Sequence, residues 1–338
     1  MGLRGARLAI VLAFLGLGLG ALLDARGLRK TAEIQRQGVA RDVAVHFTRG
    51  LVGVSSTLRL DRPRSELQGA IGREADDRID TRIAFRLPPP AGPLPARPAQ
   101  AAARKHRGSK HARRERPLFT PKRPLRIWVA GDSLAQVPGE ALERVAAHAR
   151  SLDVVGVESR VSTGLGQPEL YNWFTRIGEA VPQLHPNVAV LSFGADDEHD
   201  HLGGVPPGVT VGKLGSPSWK AEYFRRVDGV TRELTAAGVY VVWLGLPVPP
   251  SDGYVKGFRV VNDVLRRSVQ RHDERAAYID TWHLLDNGHS GWTPYIRKPN
   301  GRLVLVRAAD GMHYTAAGAD ILSSAILARL RTVYRLEA

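Results

Sequence analysis

Cysteine is absent from all 338 residues, and this absence excludes two kinds of stabilising or functional site. Without thiols the fold has no disulfide bond, and no thiolate is present to bind a metal. A glycine-rich phosphate loop is also missing, because Gly16, Gly18 and Gly20 fall inside an apolar run near the N-terminus. We therefore expect no cofactor and a fold held by an apolar core, which the apolar content of 43% supports.

Uninterrupted apolar runs are few, and one of them lies at the N-terminus. Leu8–Leu23 contains sixteen apolar or glycine residues, and Arg4 and Arg7 precede it. Basic residues followed by a short apolar run are typical of an export segment. The run is shorter than the roughly 20 residues of a comfortable membrane span, but the charged Ala25-Arg26-Gly27 is a poor cleavage site. We predict that residues 1–26 form a signal anchor, with a cleaved signal peptide or a buried helix as the alternatives.

Acidic residues number 33 against 48 basic ones, which gives a net charge of +15. Residues 104–126 hold ten Lys or Arg and one acid, Glu115, so they alone supply +9. They overlap a proline- and alanine-rich stretch at 87–124 that we interpret as an extended, disordered linker. This linker is either a solvated tether or a contact for anionic lipids and polymers. Because it is expected to be exported, we predict no nucleic-acid partner.

Between the export segment and the linker, residues 27–86 predict a small helical region of unknown role. Five apolar residues in it are spaced three or four apart, as on one face of a helix. These residues are Val39, Val43, Phe47, Leu51 and Val54.

Residues 125–338 alternate short apolar runs with amphipathic segments of helical length, which is typical of βα units around a parallel sheet. The predicted strands are Arg126–Ala130, Val154–Val157, Val188–Phe193, Val239–Gly245 and Ala277–Asp280. The predicted helices between them are Gly139–Arg150, Glu169–Val181, Trp219–Ala237 and Phe258–Arg271. Asn300-Gly301 predicts a hairpin turn, and Thr315 predicts the cap of a last helix that ends near Tyr334.

Two motifs at the ends of this domain carry the residue types of nucleophilic catalysis. Gly131-Asp132-Ser133 follows the first strand, so a serine lies at the carboxyl edge of the sheet, where ligands bind in such folds. Asp310 and His313 lie three residues apart just before the last helix. A serine hydroxyl needs a base to accept its proton, and an imidazole base needs a carboxylate to orient it.

The order of these motifs resembles that of the SGNH, or GDSL-type, hydrolase superfamily over residues 125–336. Three further segments resemble its exported subgroup DUF459, namely Trp243–Pro247, Asn262 and Tyr278–Asp280. The resemblance implies a flavodoxin-like three-layer α/β sandwich with a five-stranded parallel sheet. It also implies a serine-dependent esterase or acyltransferase, with Ser133 as nucleophile, His313 as base and Asp310 as the carboxylate that orients His313.

The resemblance further implies an oxyanion hole made by the backbone amide of Ser133, a glycine amide and an asparagine side chain. For the glycine we expect Gly164, with Gly166 as the second choice. Where Asn is expected, this chain has Asp196, and an ionised carboxylate there would repel an oxyanion. A protonated Asp196 would instead donate a hydrogen bond. We expect Asp132 and Asp197 to bind substrate.

Three functional hypotheses follow. The first is an exported esterase or O-acyltransferase that acts on an envelope glycan; this substrate follows from export and from family habit. The second is a catalytically impaired binding or scaffolding module of an envelope acyltransferase system, which Asp196 favours. The third, a metal-assisted hydrolase, depends on the acidic and histidine residues of 196–201; their spacing is not that of a helical zinc site, so we predict no metal.

Overall fold

The computed structural model describes residues 3–33, 39–70, 83, 116–205, 211–286, 288, 291–298 and 300–337. These residues divide into two compact units. The first is helical and is made mainly by residues 1–81, and the second is an α/β unit made mainly by residues 82–338. The predicted linker lies outside the described residues as far as residue 115, as does most of its basic block.

The helical unit begins with the apolar run of the N-terminus. Its described helices are α1 (Leu3–Leu23), α2 (Ala25–Glu33), α3 (Val39–Thr57) and α4 (Arg62–Ala70). Large apolar side chains of α1, from Ile10 to Leu19, are more than half exposed. No single described helix is long and apolar enough to cross a membrane, whereas Ala9–Leu23 and Ala25–Ala32, bent by 79°, meet that requirement as a pair.

Helix α3 contains the apolar residues that were predicted to share one helix face, but within the helical unit this face is exposed. Val43, Phe47 and Val54 are 63%, 66% and 49% exposed. The opposite face carries the buried Val45 and Ser55, and Ser55 Oγ donates a hydrogen bond to the Leu22 carbonyl at 2.7 Å. Small and hydroxyl-bearing residues therefore make the helix–helix contact in this unit.

The α/β unit contains a five-stranded parallel sheet, as predicted. Its strands are β2 (Leu125–Gly131), β3 (Leu152–Ser159), β4 (Val188–Ser192), β5 (Tyr240–Leu244) and β6 (Ala276–Ile279), after a short strand β1 (Leu118–Phe119). The strand order is β3-β2-β4-β5-β6, and every pairing is parallel. This is the order of flavodoxin-like sheets, so the predicted fold class is confirmed.

Helices cover both faces of the sheet. The described helices are α5 (Gln136–Ala146), α6 (Trp173–Leu184), α7 (Pro217–Ala236), α8 (Asp252–Gln270), α9 (Thr281–Leu284) and α10 (Ala316–Val333). Val129, Val190 and Val242 pack into a core with α5 and α10. Side chains alternate across a strand, so the neighbouring Trp243 points to the other face, where its indole nitrogen donates to Thr231 of α7 at 3.0 Å.

The boundary predicted between linker and folded domain at 124/125 is corrected by a strand pair. β1 pairs in parallel with β9 (Arg335–Leu336) at the C-terminus of the chain. The Phe119 ring meets Tyr334 edge to face at 5.3 Å and is 7% exposed. The sequence did not predict this contact for two reasons. Phe119 lies among basic and proline residues, and its partner strand is more than 200 residues away along the chain.

The last part of the chain brings a hairpin and a helix to the carboxyl edge of the sheet. β7 (Tyr295–Arg297) and β8 (Leu303–Leu305) pair antiparallel around the predicted Asn300-Gly301 turn. Thr315 caps α10 as predicted, since its side chain accepts a hydrogen bond from the Gly318 amide. The loop 306–315 between the hairpin and α10 carries the Asp310 and His313 motif.

Candidate active site

The structure brings together the three residues predicted to be catalytic. Ser133 Oγ lies 2.8 Å from His313 Nε2, and His313 Nδ1 lies 2.6 Å from Asp310 Oδ2. Ser133 follows β2, whereas Asp310 and His313 follow β8, so 180 residues separate serine from histidine. The carboxylate, imidazole and hydroxyl thus form one continuous hydrogen-bonded chain.

Asp310 is held in its position by its own loop. Its Oδ1 accepts hydrogen bonds from the Met312 and His313 amides at 2.8 and 2.9 Å. Partial burial would raise the pKa of Asp310, but the hydrogen bonds from the His313 ring and the two amides outweigh it, and the pKa lies below its ordinary value. Asp310 therefore stays ionised and keeps its second oxygen aimed at His313.

Ser133 projects from the turn because the residues before it fix the backbone there. Gly131 is required, since a Cβ at that position would collide with the Ser192 carbonyl of the neighbouring strand. Asp132 accepts hydrogen bonds from the Leu134 amide at 2.9 Å and from the Ala195 amide at 3.1 Å. It therefore ties the loop after β2 to the loop after β4.

Asp197 fixes the second loop of the site. Its carboxylate accepts hydrogen bonds from the Leu165 amide at 3.0 Å, the Gly166 amide at 2.7 Å and the Tyr223 hydroxyl at 2.6 Å. A Cβ on Gly164 would collide with the same carboxylate, so glycine is required there too. The amide of Gly164 makes no hydrogen bond within the described residues, whereas Gly166, our second choice, is committed to Asp197.

The prediction that Asp132 and Asp197 bind substrate is corrected by their burial. Both side chains are 0% exposed and have their oxygens occupied by groups of the protein. Burial raises the pKa of Asp132 well above its ordinary value, and the charge of Asp196 adds to this effect. The two buried side chains therefore fix the loops of the site by accepting hydrogen bonds from their backbone amides.

Asp196 and Glu198 are the partly exposed acids of the third loop. Burial first, and then the charge of Asp197, raise the pKa of Asp196 to about 6, although the nearby His313 opposes the rise. Burial and the charge of Asp196 raise the pKa of Glu198 to about 7. Asp196 is thus close enough to His313 to interact with it electrostatically, and it changes its charge in the neutral range.

Residues 126–329 match the family described as "Protein of unknown function (DUF459)". The chain belongs to this family. The match covers the five-stranded sheet except for Leu125 and includes all three residues of the hydrogen-bonded chain, and it confirms the predicted DUF459 resemblance. No curated protein matches the sequence.

Solved structures similar to this DUF459 chain include three esterases or acylhydrolases. A lipase/acylhydrolase from Enterococcus faecalis is 16% identical, with a TM-score of 0.44 over 63% of this chain and 98% of the other. The acetyl xylan esterase Axe2 from Geobacillus stearothermophilus is 13% identical, with a TM-score of 0.43 over 63% and 97%. The esterase EstA from Pseudoalteromonas sp. is 14% identical, with a TM-score of 0.40 over 62% and 97%.

The acidic and histidine residues of 196–201 do not converge on a common point in this DUF459 chain. Within the described part of the chain, no three His, Asp or Glu side chains are grouped as metal ligands would be. Asp197 is instead taken up by two amides and a hydroxyl, as described above.

Sequence reasoning missed two residues that contact the His313 loop. The buried Arg307 donates to the Met312 carbonyl at 3.3 Å and to the Val248 carbonyl at 3.2 Å. The Trp292 indole nitrogen donates to the Gly311 carbonyl at 2.9 Å. Neither residue belongs to a local motif; the only signal in the sequence was that both lie in or beside the hairpin that precedes the loop.

Proposed function

We propose that this chain is a serine-dependent esterase that acts on acyl esters through an acyl-serine intermediate. The observation that carries the proposal is the continuous hydrogen-bonded chain from Asp310 through His313 to Ser133, with distances of 2.6 and 2.8 Å. Hydroxyl, imidazole and carboxylate in this arrangement are the groups that nucleophilic acyl transfer requires.

In the first half-reaction, Ser133 Oγ attacks the carbonyl carbon of the ester while His313 Nε2 accepts the hydroxyl proton. Asp310 holds the imidazole in the tautomer that leaves Nε2 free to accept, and it stabilises the imidazolium that forms. The tetrahedral intermediate then collapses, and His313 returns the proton to the departing alcohol. In the second half-reaction, water or another hydroxyl attacks the acyl-serine while His313 accepts its proton, and His313 then returns a proton to Ser133 Oγ as the bond between the acyl carbon and Oγ breaks.

Two backbone amides are suited to stabilise the negative oxygen of the tetrahedral intermediate. The amides of Ser133 and Gly164 make no hydrogen bond in the described part of the chain. Both lie in loops that follow parallel strands, at the carboxyl edge of the sheet. Asp196 is the third candidate donor, and it donates only when protonated. Each donor of this type contributes roughly 100- to 1000-fold to turnover, so the state of Asp196 controls activity.

We further propose that the substrate is an envelope glycan and that the domain acts outside the cytoplasm, anchored by residues 1–26. Arginines before the apolar run, and the largely exposed apolar side chains of α1, support this location. Release of the acyl group to water would make the protein a deacetylase, and its transfer to a sugar hydroxyl would make it an O-acyltransferase.

The test is ester hydrolysis by the detergent-solubilised full-length chain, together with labelling by a fluorophosphonate. We expect wild type to turn over short-chain acetates and to be labelled at Ser133. Ser133→Ala and His313→Ala should each lose at least about 1000-fold in kcat. Ser324→Ala, which removes an exposed hydroxyl from α10, should leave the rate unchanged; retained activity in Ser133→Ala would reject the serine mechanism.

A binding or scaffolding module is the second candidate, and the carboxylate of Asp196 favours it. An ionised Asp196 beside Ser133 and His313 would disfavour the oxyanion and leave a fold that binds esters without turning them over. This hypothesis predicts that wild type is inert and unlabelled at pH 7 to pH 8, where Asp196 is ionised, and that Asp196→Asn alone restores both hydrolysis and labelling.

A further inference from the structure

Trp292 is an exposed aromatic residue attached to the loop that carries the proposed base. Its indole nitrogen donates to the Gly311 carbonyl at 2.9 Å, and the residue is 40% exposed. Gly311 lies between Asp310 and His313 and has a φ of +75°. A Cβ on Gly311 would lie 3.1 Å from the Trp292 ring and 3.0 Å from Pro250. The indole is therefore fixed against the loop at one edge while much of its surface stays accessible.

The direction of proton transfer decides which part of an ester lies beside this loop. His313 Nε2 takes the proton from Ser133 Oγ and gives it to the oxygen of the departing alcohol, so that oxygen lies next to His313. The carbonyl oxygen of the acyl group lies on the other side of Ser133, toward the amides of the oxyanion hole. A side chain packed on the His313 loop consequently borders the alcohol part of the substrate.

The groups around His313 combine a flat apolar surface with hydrogen-bond acceptors. Trp292 supplies the flat surface, and its ring can cover an apolar face of a ligand with few rotamers to immobilise. Glu198 is a partly exposed acid close to Asp196, which interacts with His313, and the carboxyl oxygens of Glu198 can accept hydrogen bonds from hydroxyl groups. A sugar ring has both features that this surface requires, namely an apolar C–H face and a rim of hydroxyl groups.

We propose that Trp292 is a binding residue for the alcohol part of the substrate and that this alcohol is a sugar ring stacked on the indole. The inference rests on the proposed esterase function and identifies the residue that binds the sugar of its substrate. It makes the enzyme selective for acylated sugars through the alcohol, with the acyl group recognised separately on the Gly164 side.

The kinetic test compares three esters with the full-length chain in detergent. Ethyl acetate is the reference, an acetylated methyl xyloside changes only the alcohol, and ethyl hexanoate changes only the acyl group. Trp292→Ala is expected to lower kcat/KM for the xyloside ester roughly 10-fold or more, mainly through KM, and to change the other two esters less than about 3-fold. Because Trp292 also donates a hydrogen bond to Gly311, it could act by positioning the His313 loop, and further variants distinguish this role from sugar binding.

Trp292→Phe keeps a flat ring and removes the N–H donor, so it is expected to retain the preference for the sugar ester. Tyr295→Ala is the matched control, because Tyr295 is an aromatic residue of similar exposure, 47%, three positions along the same segment. An equal loss for all three esters in both Trp292 variants would show that Trp292 only positions the loop and would overturn the proposal. A selective loss for ethyl hexanoate would also overturn it, because Trp292 would then face the acyl group.

A binding measurement keeps this inference separate from the esterase proposal. In the Ser133→Ala background, saturation-transfer NMR should detect the ring protons of the acetylated methyl xyloside against the protein, and the additional Trp292→Ala change should remove the effect. Binding that depends on Trp292, together with a wild type that hydrolyses no ester, would reject the esterase and keep the sugar site. Binding that is unchanged by Trp292→Ala would reject the sugar site, even if wild type is an active esterase.

Discussion

At the scale of single residues, we expect Asp196 to contribute most to the pH dependence of the proposed reaction. Its pKa of about 6 arises from burial and from the neighbouring Asp197, against the opposing effect of His313. Below that pH the side chain is a neutral donor, and above it the side chain is an anion next to the proposed oxyanion. The protonated fraction falls about tenfold for each pH unit above the pKa.

Asp196→Asn is therefore expected to raise kcat/KM about 10- to 100-fold at pH 8 and to have little effect at pH 5. The asparagine donates at every pH, whereas aspartate loses its proton as the pH rises through about 6. The measurement is a profile of kcat/KM for ethyl acetate between pH 4.5 and 9 for both proteins. Asp273→Asn removes an exposed acid away from the site and controls for net charge; parallel profiles for wild type and Asp196→Asn would contradict the proposed role.

Buried acids and exposed acids perform different tasks around Ser133. Asp132 and Asp197 are fully buried and accept hydrogen bonds from amides of other loops. Asp310 is half exposed and accepts from its own loop and from His313. All three residues are aspartates. The environment of each one decides whether it accepts hydrogen bonds from backbone amides of other loops or orients the His313 imidazole.

At the scale of elements, the strand pair β1–β9 closes the α/β unit by joining residues near 118 to the C-terminus. Phe119 belongs to the core shared by α5, α10 and the sheet. Leu118, next to it, is 42% exposed. The two side chains alternate across the strand, so one is buried and the other faces solvent.

Phe119→Ala is expected to lower the free energy of unfolding by about 3 kcal/mol, because it removes a buried ring from the core. Leu118→Ala, on the same short strand, should cost less than about 1 kcal/mol. Urea unfolding of both variants, followed by tryptophan fluorescence, measures the difference. Equal and small effects would mean that residues 118–119 are part of the linker, as the sequence composition suggested.

At the scale of the whole molecule, we propose that the N-terminal segment decides where the α/β unit acts. The apolar side chains of α1 are exposed within the helical unit, and lipid is the solvent that such a surface favours. Because α1 and α2 meet the length and apolarity of a span only as a bent pair, anchoring is a prediction that needs its own experiment.

We expect the full-length chain to fractionate with membranes and to resist extraction by carbonate. Replacing both Leu12 and Leu15 with arginine should release it, since each charge near the middle of an apolar span costs about 2.5–3.5 kcal/mol. Leu28→Arg, outside the apolar run, is the matched control. Mass spectrometry of the mature N-terminus then distinguishes an uncleaved anchor from a cleaved signal peptide, and a soluble, uncleaved wild type would contradict both.

The sequence alone determined the α/β class, the number of strands in the parallel sheet and the positions of Ser133, Asp310 and His313. These features are local: strands follow from short apolar runs, and the three residues lie in motifs of three or four positions at strand ends. Ser133 was expected at the carboxyl edge of the parallel sheet, because its motif follows the first predicted strand.

Only the tertiary structure decided the roles that depend on contacts between distant segments. Asp197 could not be recognised as the acceptor for Leu165 and Gly166, because its partners lie about 30 residues away in another loop. The pairing of β1 with β9 and the contact of Trp292 with Gly311 are of the same kind. These contacts could not be predicted because burial and hydrogen-bond partners are properties of the packed chain, whereas periodicity and short motifs can be recognised in the sequence itself.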